Sequence, residues 1–127
     1  MNRDDFKSWL DLYGDAWKTR DPKLIKDLFA DDATYYEKPF ESPMSGIESI
    51  TEYWSIVAKT QENVNFDYDI LSVNENLGIA HWSASFVRQA TQTKINLDGI
   101  FLVKLNYKNK CTKFREWWQS QKINQVS

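Results

Sequence analysis

The sequence is poor in the residues that build the commonest recognisable sites. It has one cysteine, Cys111, and one histidine, His81. A single cysteine cannot form a disulfide within the chain, which fits a reducing compartment, so the expected location is the cytoplasm. One histidine with one cysteine also makes no zinc-type ligand set, and no metal is expected. Four glycines contain no phosphate-cradling loop, and nothing points to a cofactor. The first residues, Met1 to Ser8, are polar, and no apolar run approaches membrane length. A signal peptide and a membrane span are therefore not expected. Repeats, linkers and low-complexity stretches are also lacking, so residues 1–127 read as one domain.

What the chain has in excess is rings. Aromatic residues make up 15% of it, with six Trp, six Tyr and seven Phe. So many large rings in a small domain either thicken a core or line a cavity. Charge is uneven along the chain. The stretch 1–98 is acidic on balance, and the last 29 residues carry Lys104, Lys108, Lys110, Lys113, Arg115 and Lys122 against one acid, Glu116. Those cations are spread around an expected hairpin. They read as a solvated tip, and no nucleic-acid partner is expected.

Hydrophobic spacing gives the elements. Phe6, Trp9, Leu10, Tyr13, Ala16 and Trp17 follow one helical face, capped by Asp4 or Asp5 and ending near Arg20. Asp21-Pro22 opens a short second helix carrying Leu24, Ile25, Leu28 and Phe29 inward. Ala33 to Glu37 reads as a strand, and Pro39 and Pro43 make the next stretch a loop. Ser45 is the expected cap of a third helix, with Ile47, Ile50, Trp54, Val57 and Ala58 as its stripe. The period then changes to two over 65–73, 79–90, 94–106 and 110–119. Short turns between long strands imply an antiparallel meander. Helices first and a curved antiparallel sheet after them give an α+β layer architecture.

Trp9-x3-Tyr13-x3-Trp17, Leu28-Phe29-Ala30-Asp31-Asp32-Ala33-Thr34 and Pro39-Phe40-x2-Pro43-x2-Gly46-x3-Ile50-x2-Tyr53-Trp54 resemble SnoaL-like proteins of the nuclear-transport-factor-2-like superfamily. Asp98-Gly99-Ile100-Phe101 and Cys111-x2-Phe114-Arg115-Glu116-Trp117-Trp118 extend the likeness to about residue 119. The resemblance implies a cone: three N-terminal helices packed on a curved sheet with an open mouth. It covers cyclases, isomerases and dehydratases as well as proteins that catalyse nothing, so fold alone does not choose a chemistry. By comparison with ketosteroid isomerase, Tyr13 falls where that family's oxyanion-binding tyrosine sits, and Glu37 falls where its proton-carrying carboxylate sits. Glu37 is one methylene longer than the family's aspartate. Asp98 is near the third position, but strand alternation turns it outward.

The residues themselves leave two readings of each candidate. Tyr13 and Glu37 are either a catalytic pair or a core ring and a rim charge. Alternation puts Phe114, Glu116 and Trp118 on one face, so Glu116 points inward, either as a desolvated general acid or as a structural acid. His81 lies opposite Trp82, on the outer face. Cys111 has no basic neighbour in sequence and is not read as a nucleophile. Trp17, Tyr35, Phe40, Trp54, Trp82, Phe101 and Trp118 are the expected wall of a pocket for a small apolar molecule. The outer sheet face mixes His81, Ser83, Ser85, Val87, Ile100 and Leu102, which suggests a homodimer. The function expected is a small-molecule-binding protein, either a cofactor-independent acid–base enzyme on an apolar cyclic substrate or a non-catalytic binding or dimerisation module.

Overall fold

The computed structural model describes residues 1–123. Three helices and six strands follow in the order α1 (Arg3–Thr19), α2 (Pro22–Lys26), β1 (Phe29–Tyr36), β2 (Met44–Ser45), α3 (Ile47–Thr60), β3 (Gln61–Asn74), β4 (Leu77–Arg88), β5 (Thr93–Leu105) and β6 (Cys111–Ile123). The strands form one sheet in the order β2-β1-β6-β5-β4-β3. The helices cover one of its faces, and the aromatic core lies between.

Helix α1 buries Phe6, Trp9, Leu10, Tyr13, Ala16 and Trp17, the whole expected stripe. Its cap is Asn2, not an aspartate: the Asn2 side chain accepts from the Asp5 amide, and the Asp5 carboxylate accepts from the Asn2 amide. The helix ends at Arg20 in the left-handed conformation, φ 57°. The Trp9 indole N–H donates to the Leu28 carbonyl at 3.0 Å, fastening α1 to the start of the sheet. Helix α2 has the expected Asp21 cap and Pro22 start, but stops at Lys26. Leu24 is consequently exposed, and Phe29 belongs to β1. Ser45 does not cap α3. It is paired with Thr34 in the two-residue strand β2, and Gly46, at φ 88°, takes the cap position without a side-chain bond.

The meander β3 to β6 is antiparallel throughout. The one departure is β1, which pairs with β6 in parallel. A parallel neighbour needs a long crossover, and here α3 and the four strands β2 to β5 supply it. Strand β3 begins earlier than alternation suggests, at Gln61, with a register shift beside Asn63 at φ 53°. Such a bulge increases local twist and bends the strand, which curls the sheet edge around the helices. Along β4, Ala80, Trp82, Ala84 and Phe86 are buried, and along β5 so are Ile95, Phe101, Val103 and Leu105. On β6, Phe114 and Glu116 are buried. Tyr13 sits at the centre of the ring cluster, with Trp9, Trp54, Phe101 and Phe114 all 5.3–5.6 Å away between centroids.

Gly99 makes the inner wall possible. A methyl group there would meet the Trp117 carbonyl oxygen and come within 2.9 Å of the Trp82 indole nitrogen. Gly99 is the direct partner of Trp82 on one side and of Trp118 on the other. Its missing side chain leaves room for both indoles on one face.

Candidate active site

The helices and the curled sheet enclose a cavity of about 230 Å³. Its wall includes Tyr13 and Trp17 from α1, Tyr35 from β1, Glu37 just past it, and Tyr53, Trp54 and Val57 from α3. The other strands add Gln61, Trp82, Phe86, Arg88, Leu97, Glu116, Trp118 and Ser120.

Glu37 is fixed from two sides. The Tyr53 hydroxyl donates to its Oε1 at 3.2 Å, and the Trp118 indole N–H donates to its backbone carbonyl at 3.2 Å. The first bond orients the carboxylate and the second anchors the chain that carries it. Glu116 is different: it is only 7% exposed, and among the described residues it has no hydrogen-bond partner. Burial is the main cause that pushes its carboxyl well above the usual carboxylate range, and the negative charge of Glu37 adds to it. Held neutral, Glu116 carries an O–H that can donate.

The Tyr13 and Tyr35 hydroxyls lie 3.4 Å apart. Burial pushes both phenols well above their ordinary range, and Glu116 in its ionised form is a further cause. Tyr53 is raised as well, first by burial and then by Glu116 and Glu37. All three phenols therefore remain neutral donors. The site gathers one oriented carboxylate, one desolvated carboxylic acid and three phenols around a ring-lined space. That set can take up a proton at one point and stabilise an oxyanion at another.

Tyr13, Glu37 and Glu116 thus lie on one cavity. Of the expected wall, Trp17, Tyr35, Trp54, Trp82 and Trp118 also line it. Two rings do not. Phe40 stands in the loop between β1 and β2, fully exposed, because two prolines and no partner strand leave that segment outside the layers. Phe101 is completely buried behind the wall, because Trp82 stacks on it at 4.8 Å and Tyr13 packs edge-on at 5.5 Å, and these two rings cover it. Asp98 faces outward, as alternation demands, and its carboxylate meets the His81 ring at 3.0 Å. Cys111 is buried, and burial pushes its thiol up, so it is no nucleophile.

Tyr53, Gln61, Phe86 and Arg88 are among the lining residues outside the expected set. Tyr53 follows Ile50 by three positions and precedes Val57 by four, so it shares the inward side of α3. Arg88 continues the inward parity of Trp82, Ala84 and Phe86. Both signals were there in the spacing.

The SnoaL-like domain family matches residues 2–114 of the chain. The chain belongs to this family. No curated protein matches the SnoaL-like chain at a significant level. Its fold is similar to several solved structures. One is a hypothetical protein with a ketosteroid isomerase-like fold from Catenulispora acidiphila, in complex with trimethylamine. Its TM-score is 0.76 at 17% identity, covering 86% of this chain and 83% of that one. Another is the epoxide hydrolase/cyclase-like enzyme SalBIII, at TM-score 0.78 and 14% identity, covering 89% of both chains. A third is a computationally designed 17-OHP binder, at TM-score 0.79 and 16% identity, covering 92% and 96%. At these identities the likeness concerns the fold alone. No helix is long and apolar enough to cross a membrane among the described residues, and these residues hold no cluster of three metal-ligating side chains.

Proposed function

We propose that this SnoaL-like protein binds a small ring compound in the cavity and moves a proton on it by acid–base chemistry without a cofactor. The observation that carries this reading is Glu116: a buried carboxyl with no partner among the described residues, on the same cavity as Glu37 and the Tyr13–Tyr35 pair. A protein that only needed a packed core would replace such a group at lower cost, because taking a carboxyl out of water is unfavourable.

The chemistry follows from the donors and acceptors present. The Glu37 carboxylate takes a proton from a carbon next to a carbonyl. The C–H bond breaks, its electron pair delocalises toward the carbonyl oxygen, and an enolate forms. The Tyr13 hydroxyl, backed by Tyr35 and by neutral Glu116, holds that oxygen. Where the substrate is a β,γ-unsaturated ketone the anion is a dienolate, and return of the proton from Glu37 to its γ-carbon, with the double bond shifted into conjugation, completes an isomerisation. The cavity, about 230 Å³, is smaller than the roughly 300–1,000 Å³ of most ligand pockets, so one or two rings fit better than a larger system. The fold of SalBIII, an epoxide hydrolase/cyclase-like enzyme, supports an enzymatic reading.

The test is exchange of the α-protons of 2-tetralone in deuterated buffer, followed by NMR. The wild-type protein should accelerate exchange over buffer, and Glu37→Gln should remove roughly a hundredfold of that acceleration. Exchange no faster than buffer would leave the second reading, a binding module without chemistry. That reading has its own support, since a designed protein of this fold binds 17-OHP. Under either reading we propose a homodimer through the outer sheet face around His81, Ser83, Ser85, Val87, Ile100 and Leu102, and a cytoplasmic location.

A further inference from the structure

Glu37, just past β1, and Glu116, on β6, are the acids of the cavity. The same cavity also carries a cation. Arg88, the last residue of β4, has the inward parity of Trp82 and Phe86 and lines the cavity. Its guanidinium sits over the Phe86 ring, 5.5 Å from the centroid. Stacking of this kind holds a guanidinium in place while leaving its in-plane N–H groups free. Among the described residues no carboxylate lies within ion-pair reach of Arg88, and its side chain donates no hydrogen bond there. Glu116 is level with Phe101 and Ala80 across the sheet, and Arg88 lies eight residues beyond Ala80 on β4, so the cation and the acids sit at different levels of the strands.

The remaining polar groups on the cavity are nearly all donors. The Trp54 and Trp82 indole N–H groups are buried and have no partner, and both residues line the space. The one side-chain amide there, Gln61, already accepts from the Trp17 indole at 2.8 Å. These two N–H groups are covered by protein, so an occupant meets the indole rings, and Arg88 is the charged donor left open to it.

We infer that the occupant is a ring compound bearing a carboxylate, seated with the carboxylate on Arg88 and the ring between the indoles, its other end toward Glu37 and Glu116. This rests on the proposed ligand cavity and adds the chemical class of ligand. A planar guanidinium presenting two parallel N–H groups matches a carboxylate better than any neutral group. The ion's charge is best placed at the β4 wall, because the β1 wall already holds Glu37.

The test is calorimetric titration of the full chain with phenylacetate and with phenylacetamide, which share the ring and differ in charge. Phenylacetate should bind about tenfold or more tightly than the amide. Arg88→Gln should remove that preference by weakening phenylacetate alone, while Arg88→Lys keeps part of it. Arg88 is exposed at the strand end, and an unchanged melting temperature checks that Arg88→Gln folds. Equal affinity for the two probes, or a preference that survives Arg88→Gln, overturns the carboxylate assignment and leaves the cavity reading standing. No binding of either probe at millimolar concentration overturns both. Binding that responds to Arg88→Gln but not to Trp82→Phe keeps the anion contact and overturns the placement of the ring.

Discussion

Replacing Glu116 by glutamine keeps the shape of the side chain and removes its proton equilibrium, and the effect on stability has a definite sign. In the unfolded chain this carboxyl ionises around its ordinary value of 4.5. In the folded protein, burial and the charge of Glu37 hold it protonated to a higher pH. Below 4.5 both states carry the proton, and its contribution is constant. Above that value the unfolded state releases the proton while the folded state keeps it. Stability from this group is therefore present in full at low pH and is lost as pH rises toward the folded-state value. For one proton the slope approaches about 1.4 kcal/mol per pH unit across that window. Glutamine has no such slope. Denaturant melts of wild type and Glu116→Gln at a series of pH values, starting from about pH 4, isolate the term because the other titrating groups cancel in the difference. The variant should gain on the wild type as pH rises, by up to about 1.4 kcal/mol for each unit within the window. Two stability curves that run parallel from acid to alkaline pH would refute the claim that Glu116 is a desolvated, protonated acid.

Four further outcomes follow from the packing and the site. Trp54→Ala should cost about 3–5 kcal/mol in denaturant melts, because the ring packs edge-on against Tyr13 and Trp17 at 5.5 and 5.6 Å. Trp54→Phe should cost much less, since the indole N–H it removes has no partner. Gly99→Ala should lower the melting point by the equivalent of about 1–3 kcal/mol or more, because its methyl would collide with the Trp117 carbonyl. In the exchange assay Tyr13→Phe should lose about a hundredfold, in the manner of a removed oxyanion donor, with ligand affinity little changed. Light scattering at micromolar concentration should give the mass of two chains, and a monomer mass would end the dimer proposal.

The parts of this molecule that were legible in sequence are those set by neighbours along the chain. The α1 stripe, the Asp21-Pro22 helix start and the inward face of β4 each follow from one element's own period. So does the inward turn of Glu116, since Phe114 and Trp118 flank it at the same parity. What the sequence hid depends on closure. Nothing local shows that β1 pairs with β6 in parallel, or that Ser45 is taken up by β2 and leaves the cap to Gly46. The wall of the cavity is also a matter of depth. Phe101 has the right parity but is covered by the Trp82 and Tyr13 rings, and Phe40 lies in a proline-bounded loop that no layer covers. Arg88 looks in sequence like a strand-end charge that meets water; its place on the cavity wall depends on tertiary closure.

The most direct test of the account is a crystal structure with 2-naphthol, a planar mimic of the enol of 2-tetralone. The ring should lie between Trp54 and Trp82, with its oxygen at hydrogen-bond distance, about 2.6–3.2 Å, from the Tyr13 hydroxyl or the Glu116 carboxyl. The carbon beside that oxygen should face the Glu37 carboxylate. A ring bound outside the cavity, or one bound inside it with Glu37 turned to solvent, would contradict the proposed proton transfer.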